Sequence, residues 1–206
     1  MAACGSGGDD DLGPAATIGP APTITIGPAP TTTIGPAPTT TSTVARPVDV
    51  AVIPEDPAEI DEAYAQAVVD ALFAVDARAT AIFVESQRLD EEAIDILRSI
   101  YVPDELDRQV NAWGQDLALR GDELLPGVLH NEVQQVIDVA DDCVYVAVES
   151  DYSDVTVRGA SLSINYLGLT PKLEGDDAEG LNPTGWMLFM NGVEFDGSQP
   201  ENPCDE

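Results

Sequence analysis

The chain has 206 residues with 38 acidic and 8 basic side chains, a net charge of −30 at neutral pH. From residue 47 onward there are 35 acids and 7 bases, so this part alone carries about −28. A field of this sign repels phosphate backbones and anionic lipid headgroups, which excludes nucleic acid as a partner and docking on a membrane through a basic patch. No stretch approaches the roughly 20 consecutive apolar residues that span a bilayer.

Small residues surround the first cysteine of the chain. Met1, Ala2 and Ala3 precede Cys4, and a Gly/Ser run follows it. This order resembles the cleavage region of a bacterial lipoprotein signal peptide, although Met1 stands where that pattern prefers leucine. We expect the missing charged and apolar leader to have been cut away, or the true start to lie upstream. The resemblance implies lipidation of Cys4, with membrane attachment through this N-terminal lipid only.

A low-complexity repeat follows the flexible acidic leader of residues 1–12. Three copies of Ile-Gly-Pro-Ala-Pro-Thr begin at Ile18, Ile26 and Ile34 within residues 13–46. Such a Thr/Pro/Gly-rich segment cannot bury enough apolar surface to fold, so it predicts a disordered stalk. Its composition fits either O-glycosylation or an unmodified spacer. Anchor, leader and stalk in this order resemble actinobacterial surface lipoproteins, which implies an extracytoplasmic, lipid-anchored domain.

Residues 47–206 have the composition of one folded domain, and helices are predicted in its first half. Asp56, Pro57 and Glu59 form a strong helix start. Apolar residues then recur every three or four positions to about Ser86. Further starts at Asp90 and Pro103 predict a short second helix and a third that stops at Arg120–Gly121.

The period of the apolar residues changes to two after residue 127, which predicts strands. The predicted strands cover residues 132–139, 143–149, about 161–166 and 186–190, with Ala140-Asp141-Asp142 as a hairpin and Asn191-Gly192 as a turn. The predicted fold class is therefore α+β: three N-terminal helices packed on a curved antiparallel sheet of about four strands, preceded by the disordered stalk.

The element order resembles a known family. A long helix, two short ones and a meandering sheet are similar to the nuclear transport factor 2-like cone fold. The segments 166–169, 182–186 and 203–204 look like the tail of actinobacterial lipoproteins with such a domain. Members that are isomerases use an aspartate base and a tyrosine or protonated acid facing one cavity. Asp138, Tyr101, Tyr145 and Tyr166 are the residue types available here, but no motif places them in one pocket.

Two cysteines remain once Cys4 is assigned to lipid. In an exported chain an even pair is usually a disulfide, so Cys143 and Cys204 are predicted to be bonded. Such a bond would close a loop of about 62 residues, and the chain-entropy model gives it roughly 4 kcal/mol. The spacing of these cysteines fits no zinc motif.

Residues that carry chemistry are sparse. His130 is the one histidine, and no nucleophile motif accompanies it, so a surface role is favoured over a general base. Residues 174–180 hold four acids between glycines, but they lack the alternating spacing of a calcium loop. We therefore assign no catalytic residue and no metal site, and we expect no cofactor.

Three functions stay open. The favoured one is a non-enzymatic, membrane-tethered lipoprotein whose cone-like domain binds an envelope partner or a small apolar ligand. The second is a small isomerase- or dehydratase-like enzyme that uses the cone cavity, and the third is a structural spacer of the envelope. The lining of the cavity separates the first two, because an aspartate and a tyrosine that meet at its floor favour catalysis.

Overall fold

Helices come first in the folded part of the chain and strands follow. The computed structural model describes residues 48–157, 162–173, 175–177, 180–193 and 199–205, which all belong to the unit Ala45–Glu206. The predicted stalk and Cys4 lie outside the described residues. The main elements are α1 (Glu62–Ser86), α2 (Glu91–Arg98), α3 (Pro103–Arg120), β1 (His130–Ala140), β2 (Cys143–Asp151), β3 (Leu162–Pro171) and β4 (Trp186–Val193).

The first long helix begins later than its sequence predicts. Asp56 caps only a short 3-10 helix, Pro57–Glu59. The side chain of Asp61 then caps α1 by accepting a hydrogen bond of 2.9 Å from the Tyr64 amide. The predicted start at Asp56 is wrong because a second capping aspartate lies nearby and satisfies the helix amides itself. Gln87, in the left-handed conformation with a φ of 52°, ends the helix.

The sheet is an antiparallel meander in the order β1-β2-β3-β4. Register shifts in β1 fall between Val133 and Gln135 and between Val136 and Asp138, where each extra residue bends the strand. Side chains alternate between the two faces. The face toward the helices carries the main core, which includes Val144, Val146, Val148, Leu167 and Leu169.

The predicted fold class is wrong in its layering. The main helix-to-strand contacts are those of α1 with β1 and of α3 with β4, whereas α2 packs mainly on α1 and α3. Helix α2 is only eight residues long and buries Ala93, Ile96 and Leu97. Because this face is narrow and α2 packs mainly on the neighbouring helices, little of it is left to contact the sheet. With helices first and four antiparallel strands after them, the described chain still fits the α+β class overall.

The last strand extends beyond its predicted end. Asn191 and Gly192 pair with Leu167 and Tyr166 of β3, so the predicted turn at these two residues is wrong. Strand β3 is longer than predicted, and its backbone groups offer ladder hydrogen bonds to β4 as far as Val193. Regular pairing of this kind satisfies the backbone and overrides the turn preference of Asn-Gly.

The segment between 182 and 186 has a structural role. Buried Asn182 donates through Nδ2 to the carbonyl oxygens of Ser99 at 2.9 Å and of Trp186 at 2.8 Å. Its Oδ1 accepts from the amide and the hydroxyl of Thr184. The Trp186 indole donates to the Tyr64 hydroxyl at 2.9 Å. These bonds tie the entry of β4 to the helices and satisfy polar groups that would otherwise be buried unpaired.

Candidate functional site

A cavity of about 460 Å³ lies beside the helix-facing side of the sheet. Its size is within the range of small-molecule sites. Helices α1 and α3, the residues that follow β2, and single residues of β3 and β4 contribute to its wall. Four of the lining side chains are aromatic: Phe73, Tyr101, Trp113 and Tyr152.

Asp76 is the acid that α1 contributes to the cavity. It follows Phe73 by three positions and precedes Thr80 by four, so helical geometry places the three side chains on one face. The Thr80 hydroxyl donates to Asp76 Oδ2 at 3.4 Å and the Tyr101 hydroxyl donates to Oδ1 at 3.3 Å. Protein atoms enclose the carboxyl group, which reaches solvent only partly. Burial raises its pKa to about 6, against the lowering effect of the two hydrogen bonds.

Tyr101 is held in place by the edge of the sheet. The chain between α2 and α3 runs beside β4 and forms one parallel bridge, from Tyr101 to Leu188. The Leu188 amide donates to the Ile100 carbonyl at 2.7 Å, and the Val102 amide donates to the Leu188 carbonyl at 3.0 Å. Two backbone bonds thus fix the direction of the Tyr101 side chain. Only 2% of Tyr101 is exposed.

Asn191 connects the Tyr101 hydroxyl to α3. Its side chain forms a hydrogen bond with that hydroxyl, and its carbonyl oxygen accepts from Arg108 at 2.8 Å. Arg108 also pairs with buried Glu105 at 2.9 Å. The Glu105 carboxylate accepts in addition from the backbone amide of Asn191. Asn191, Arg108 and Glu105 therefore form a polar network that holds the Tyr101 hydroxyl in place.

The pKa shifts of Asp76 and Tyr101 suit proton transfer. Burial first, and then the neighbouring Asp76 charge, raise the pKa of Tyr101 well above its ordinary value. The phenol therefore keeps its proton and acts as a hydrogen-bond donor. A carboxyl group with a pKa of about 6 is mostly ionised at neutral pH yet easily protonated, which suits a general base or acid. One group can move a proton while the other stabilises negative charge on oxygen.

Polar strand residues lie beside the cavity, and one of them, Ser163, lines it. On the helix-facing side, Asn131, Ser150 and Asn165 form a buried hydrogen-bonded row, and the Asn165 amide also donates to the Tyr152 hydroxyl at 3.1 Å. Ser163 lies on the same strand and face as Asn165 and lines the cavity. Within the described part of the chain, Ser163 Oγ and Asn165 Oδ1 are buried without a hydrogen-bond partner. Unpaired buried polar atoms are rare and often mark a place for water or ligand.

The structure separates the residue types that the sequence offered for catalysis. Tyr101 lines the cavity, but Tyr145 and Tyr166 lie on the other face of the sheet, with ring centroids 5.9 Å apart. Asp138 accepts at 2.7 Å from the side chain of Asn202, in the C-terminal segment. His130 is the first residue of β1 and lies 3.0 Å from Asp154, with both side chains more than half exposed.

The cysteine pair lies outside the cavity. The sulfurs of Cys143 and Cys204 are 1.97 Å apart and their Cα atoms 5.6 Å, which is disulfide geometry. Cys204 packs beside Tyr145 and Tyr166 on the outer face of the sheet. The Tyr145 hydroxyl donates to the Pro200 carbonyl at 3.3 Å. This contact and the cysteine pair hold the C-terminal segment against the outer face.

The acidic loop is described only in part. Asp177 Oδ2 accepts from the amide of Asn182 at 2.9 Å and lies 3.3 Å from the ammonium group of Lys172. Although burial opposes them, these bonds and the Leu181 amide lower the pKa of Asp177. Over the described ranges, no three His, Cys, Asp or Glu side chains converge as a metal site. The described helices also include none that is long and apolar enough to cross a bilayer.

Sequence reasoning missed Asp76. The signal for it was an acid beside the inward stripe of α1, between Phe73 and Thr80; the buried residues of this helix are all uncharged. An acid at such a position is buried only with a partner or a task. Its partner Tyr101 is 25 residues away, in a segment whose position depends on tertiary contacts such as the bridge to Leu188.

Comparison with known proteins assigns no family. No family model matches the chain, and no curated protein matches it. Among solved structures, the solution NMR structure of a de novo designed beta-sheet protein is similar at 23% identity, over 67% of this chain and 96% of that chain. The TM-score of 0.27 is too low to carry an argument about fold or function. The nuclear transport factor 2-like and lipoprotein resemblances therefore stay predictions.

Proposed function

We propose that the domain is a small isomerase- or dehydratase-like enzyme that moves a proton on a molecule bound in the cavity. One observation carries this proposal: Tyr101 donates to Asp76 at the wall of a cavity of about 460 Å³. An aspartate and a tyrosine in this relation favour catalysis over simple binding. The non-enzymatic function that the sequence favoured becomes the second candidate.

The chemistry follows from the two side chains. The ionised Asp76 carboxylate would take a proton from a carbon next to a carbonyl group of the substrate, so that the C–H bond breaks and an O–H bond forms on Asp76. The electron pair moves to the carbonyl oxygen, and Tyr101 turns its one hydroxyl proton from Asp76 to this oxygen, where it stabilises the developing negative charge. Where the substrate has a C=C bond between its β- and γ-carbons, Asp76 returns the proton at the γ-carbon and the double bond moves between the α- and β-carbons, which completes an isomerisation. Where the substrate has a β-hydroxyl group, that group takes the proton from Asp76 and leaves as water while the α,β double bond forms, which completes a dehydration.

Binding without catalysis has a specific observation in its favour. The buried Ser163 Oγ has no partner within the described part of the chain and lies at the cavity wall. It could hold a polar group of a ligand in a cavity whose wall includes four aromatic side chains. A pure binding site would need no proton transfer, and Asp76 would then serve only as an acceptor.

We also propose where this activity takes place. The residues around Cys4, which resemble a lipoprotein cleavage region, and the repeat stalk favour a lipid-anchored domain outside the cytoplasm. The Cys143–Cys204 pair suits an oxidising compartment. The 32 residues from 13 to 44 of the stalk would reach roughly 100 Å when extended at ~3.1 Å per residue. Substrate would then come from the cell envelope, and the membrane would be contacted through the lipid alone.

Proton exchange in D₂O tests the catalytic proposal. Cyclohexanone and 1-methyl-4-piperidone are incubated with the protein, and loss of the α-proton signals is followed by ¹H NMR. We expect the wild type to speed exchange of at least one ketone tenfold or more over buffer and Asp76→Asn to lose that gain. Asp107→Asn, which removes an exposed acid from α3, should keep it. Equal exchange by wild type and Asp76→Asn would overturn the proposal.

A further inference from the structure

The polar row on the helix-facing side of the sheet has a fixed direction of hydrogen bonding. Ser150 has one hydroxyl proton, which it donates to Asn131 Oδ1, so toward every other neighbour its oxygen is an acceptor. Asn165 must therefore turn its NH₂ group to Ser150, and Nδ2 does donate to Ser150 Oγ. The side-chain oxygen of Asn165 then faces away from Ser150 and is buried without a partner among the described residues.

The same row orients the hydroxyl group of Tyr152. The second Nδ2 proton of Asn165 goes to the Tyr152 hydroxyl oxygen at 3.1 Å. That oxygen is therefore an acceptor toward the row, and its own proton has no acceptor within the described ranges. Tyr152 lines the cavity, so this proton is available to a molecule that binds there.

Ser163 adds a second hydroxyl group to the same part of the cavity wall. It lies opposite Ser150 in the register of β2 and β3 and lines the cavity. Because the Ser150 proton goes to Asn131, Ser150 donates nothing to Ser163. Ser163 Oγ is thus buried without a partner in the described part of the chain. Rotation about the Cα–Cβ bond can turn this hydroxyl to a bound molecule, which would recover the cost of the missing bond.

These groups match one kind of ligand chemistry. Ser163 Oγ and Asn165 Oδ1 are acceptors that lack a donor, and Tyr152 is a donor that lacks an acceptor. A ligand hydroxyl both donates and accepts, so it satisfies both needs at once. An ether oxygen brings no proton and leaves the acceptors unpaired. A carboxylate or phosphate also brings no proton, and its charge would find no lysine, arginine or histidine among the described lining residues.

We propose that the ligand of this cavity is an uncharged molecule with a hydroxyl group, which accepts a hydrogen bond from Tyr152 and donates one to Ser163 Oγ. This inference rests on the proposed function of the cavity as a small-molecule site, and it specifies the substrate class as a hydroxyketone. The hydroxyl group anchors the ligand and does not react. The carbonyl end of the same molecule is then left for Asp76 and Tyr101. Asn165 is a positioning residue that fixes the direction of the Tyr152 proton.

Three cyclic ketones separate the hydroxyl proton from size and polarity. 4-Hydroxycyclohexanone, its methyl ether 4-methoxycyclohexanone and plain cyclohexanone are titrated into ¹⁵N-labelled full-length protein, and the two indole N–H signals are followed. Trp113 lines the cavity and reports binding, whereas Trp186 is not among its lining residues and is the internal control. We expect 4-hydroxycyclohexanone to bind about fivefold tighter than either other ketone, the factor that one net hydrogen bond contributes. Size alone would favour cyclohexanone, and apolar burial alone would favour the ether.

Three variants complete the test. Ser163→Ala and Tyr152→Phe should each weaken the binding of 4-hydroxycyclohexanone about threefold or more, because each removes one of its two hydrogen bonds. Ser86→Ala, which removes a hydroxyl bonded to the Arg88 carbonyl at the end of α1, should bind as wild type does. Since Ser163 Oγ has no partner among the described residues, Ser163→Ala should unfold in urea at the same concentration as wild type or at a higher one.

The outcomes that overturn the inference are specific. They are equal or tighter binding of the ether, unchanged binding of 4-hydroxycyclohexanone by Ser163→Ala or Tyr152→Phe, and no shift of the Trp113 signal. A clear loss of stability in Ser163→Ala would also overturn it, because the hydroxyl would then have a partner in the protein. Hydroxyl-dependent binding without ketone exchange would contradict the catalytic proposal only, and exchange of cyclohexanone without a preference for the hydroxyl would contradict the hydroxyl site only.

Discussion

The Tyr101 hydroxyl donates a hydrogen bond of 3.3 Å to Asp76 Oδ1, and this bond joins the middle of α1 to the segment between α2 and α3. Both residues line the cavity. The bond matters because the carboxyl group has no basic side chain among the described lining residues, so hydroxyl donors are its support. Stability and chemistry at this site therefore depend on the same two side chains.

Replacing Asp76 by Asn should stabilise the protein above pH 6. The folded pKa of Asp76, about 6, lies above the ordinary aspartate value of 3.8, so the unfolded chain loses this proton first as the pH rises. Stability therefore falls between about pH 4 and pH 6 and stays lower above that range. We expect Asp76→Asn to remove this part of the pH dependence and to gain roughly 1–2 kcal/mol at pH 8, below the limit of about 3 kcal/mol that such a pKa change allows.

Urea unfolding of wild type and variant at pH 4 and pH 8 measures this difference. Buried Glu105, whose pKa burial also raises, contributes a pH dependence of the same sign in both proteins, so only the difference between them reports Asp76. The exposed Asp107→Asn variant should follow the wild type at both pH values. A variant that is less stable than wild type at pH 8 would show that Asp76 is a net stabilising acceptor instead.

Replacing Tyr101 by Phe should raise the pKa of Asp76 above 6. The Tyr101 hydrogen bond lowers this pKa, so its loss leaves burial less opposed. The variant should also lose about 1–2 kcal/mol of stability because the side chains of Asp76 and Asn191 lose a buried partner. Titration of the aspartate carboxyl carbons by ¹³C NMR measures the pKa.

Tyr64→Phe is the matched control for this titration. The Tyr64 hydroxyl donates to the Val52 carbonyl at 3.0 Å and accepts from Trp186, so its removal also breaks buried hydrogen bonds, but away from Asp76. It should lower stability and leave the Asp76 titration unchanged. A similar pKa change in both variants would mean that general loosening, and not the Tyr101 bond, sets the pKa.

Removing the cysteine pair should destabilise the domain without altering the cavity. Cys143 and Cys204 are 61 residues apart in sequence, and closing a loop of that length is worth roughly 4 kcal/mol at most in the chain-entropy model. We expect the double substitution to Ala to cost roughly 2–4 kcal/mol in urea unfolding. Thiol titration of the denatured, unreduced wild type should find neither cysteine reactive, and two reactive thiols besides Cys4 would contradict the bond.

The sequence revealed the order of elements but not their layering. The change of apolar period near residue 127 marks the step from helices to strands, because helix and strand faces repeat at 3.6 and 2 residues. The partners of α2 could not be inferred in this way. Its inward face of Ala93, Ile96 and Leu97 would pack equally well on a helix or on a sheet. The packing of the whole domain therefore decides which elements α2 contacts.

The candidate site was still harder to infer. Tyr145 and Tyr166 have the right chemistry, but strand alternation turns both to the outer face. Of the four candidates that the sequence offered, Tyr101 is the one that lines the cavity. Its position depends on a single bridge to Leu188. Asp76 lies in α1, whose buried residues form an otherwise uncharged face. An acid at such a position is easily taken for an interruption of the apolar pattern. Thr80 is its one partner within α1; the tertiary fold adds Tyr101 as a second partner and the burial that raises its pKa.

The pH dependence of ketone exchange tests the central claim most directly. If the ionised Asp76 carboxylate removes the proton, the enzyme-dependent rate of exchange should rise with pH to a plateau, with a midpoint near pH 6 set by the pKa of Asp76. Asp76→Asn should show no such rise. A midpoint near pH 4, or an undiminished profile in Asp76→Asn, would contradict the assignment of Asp76 as the base.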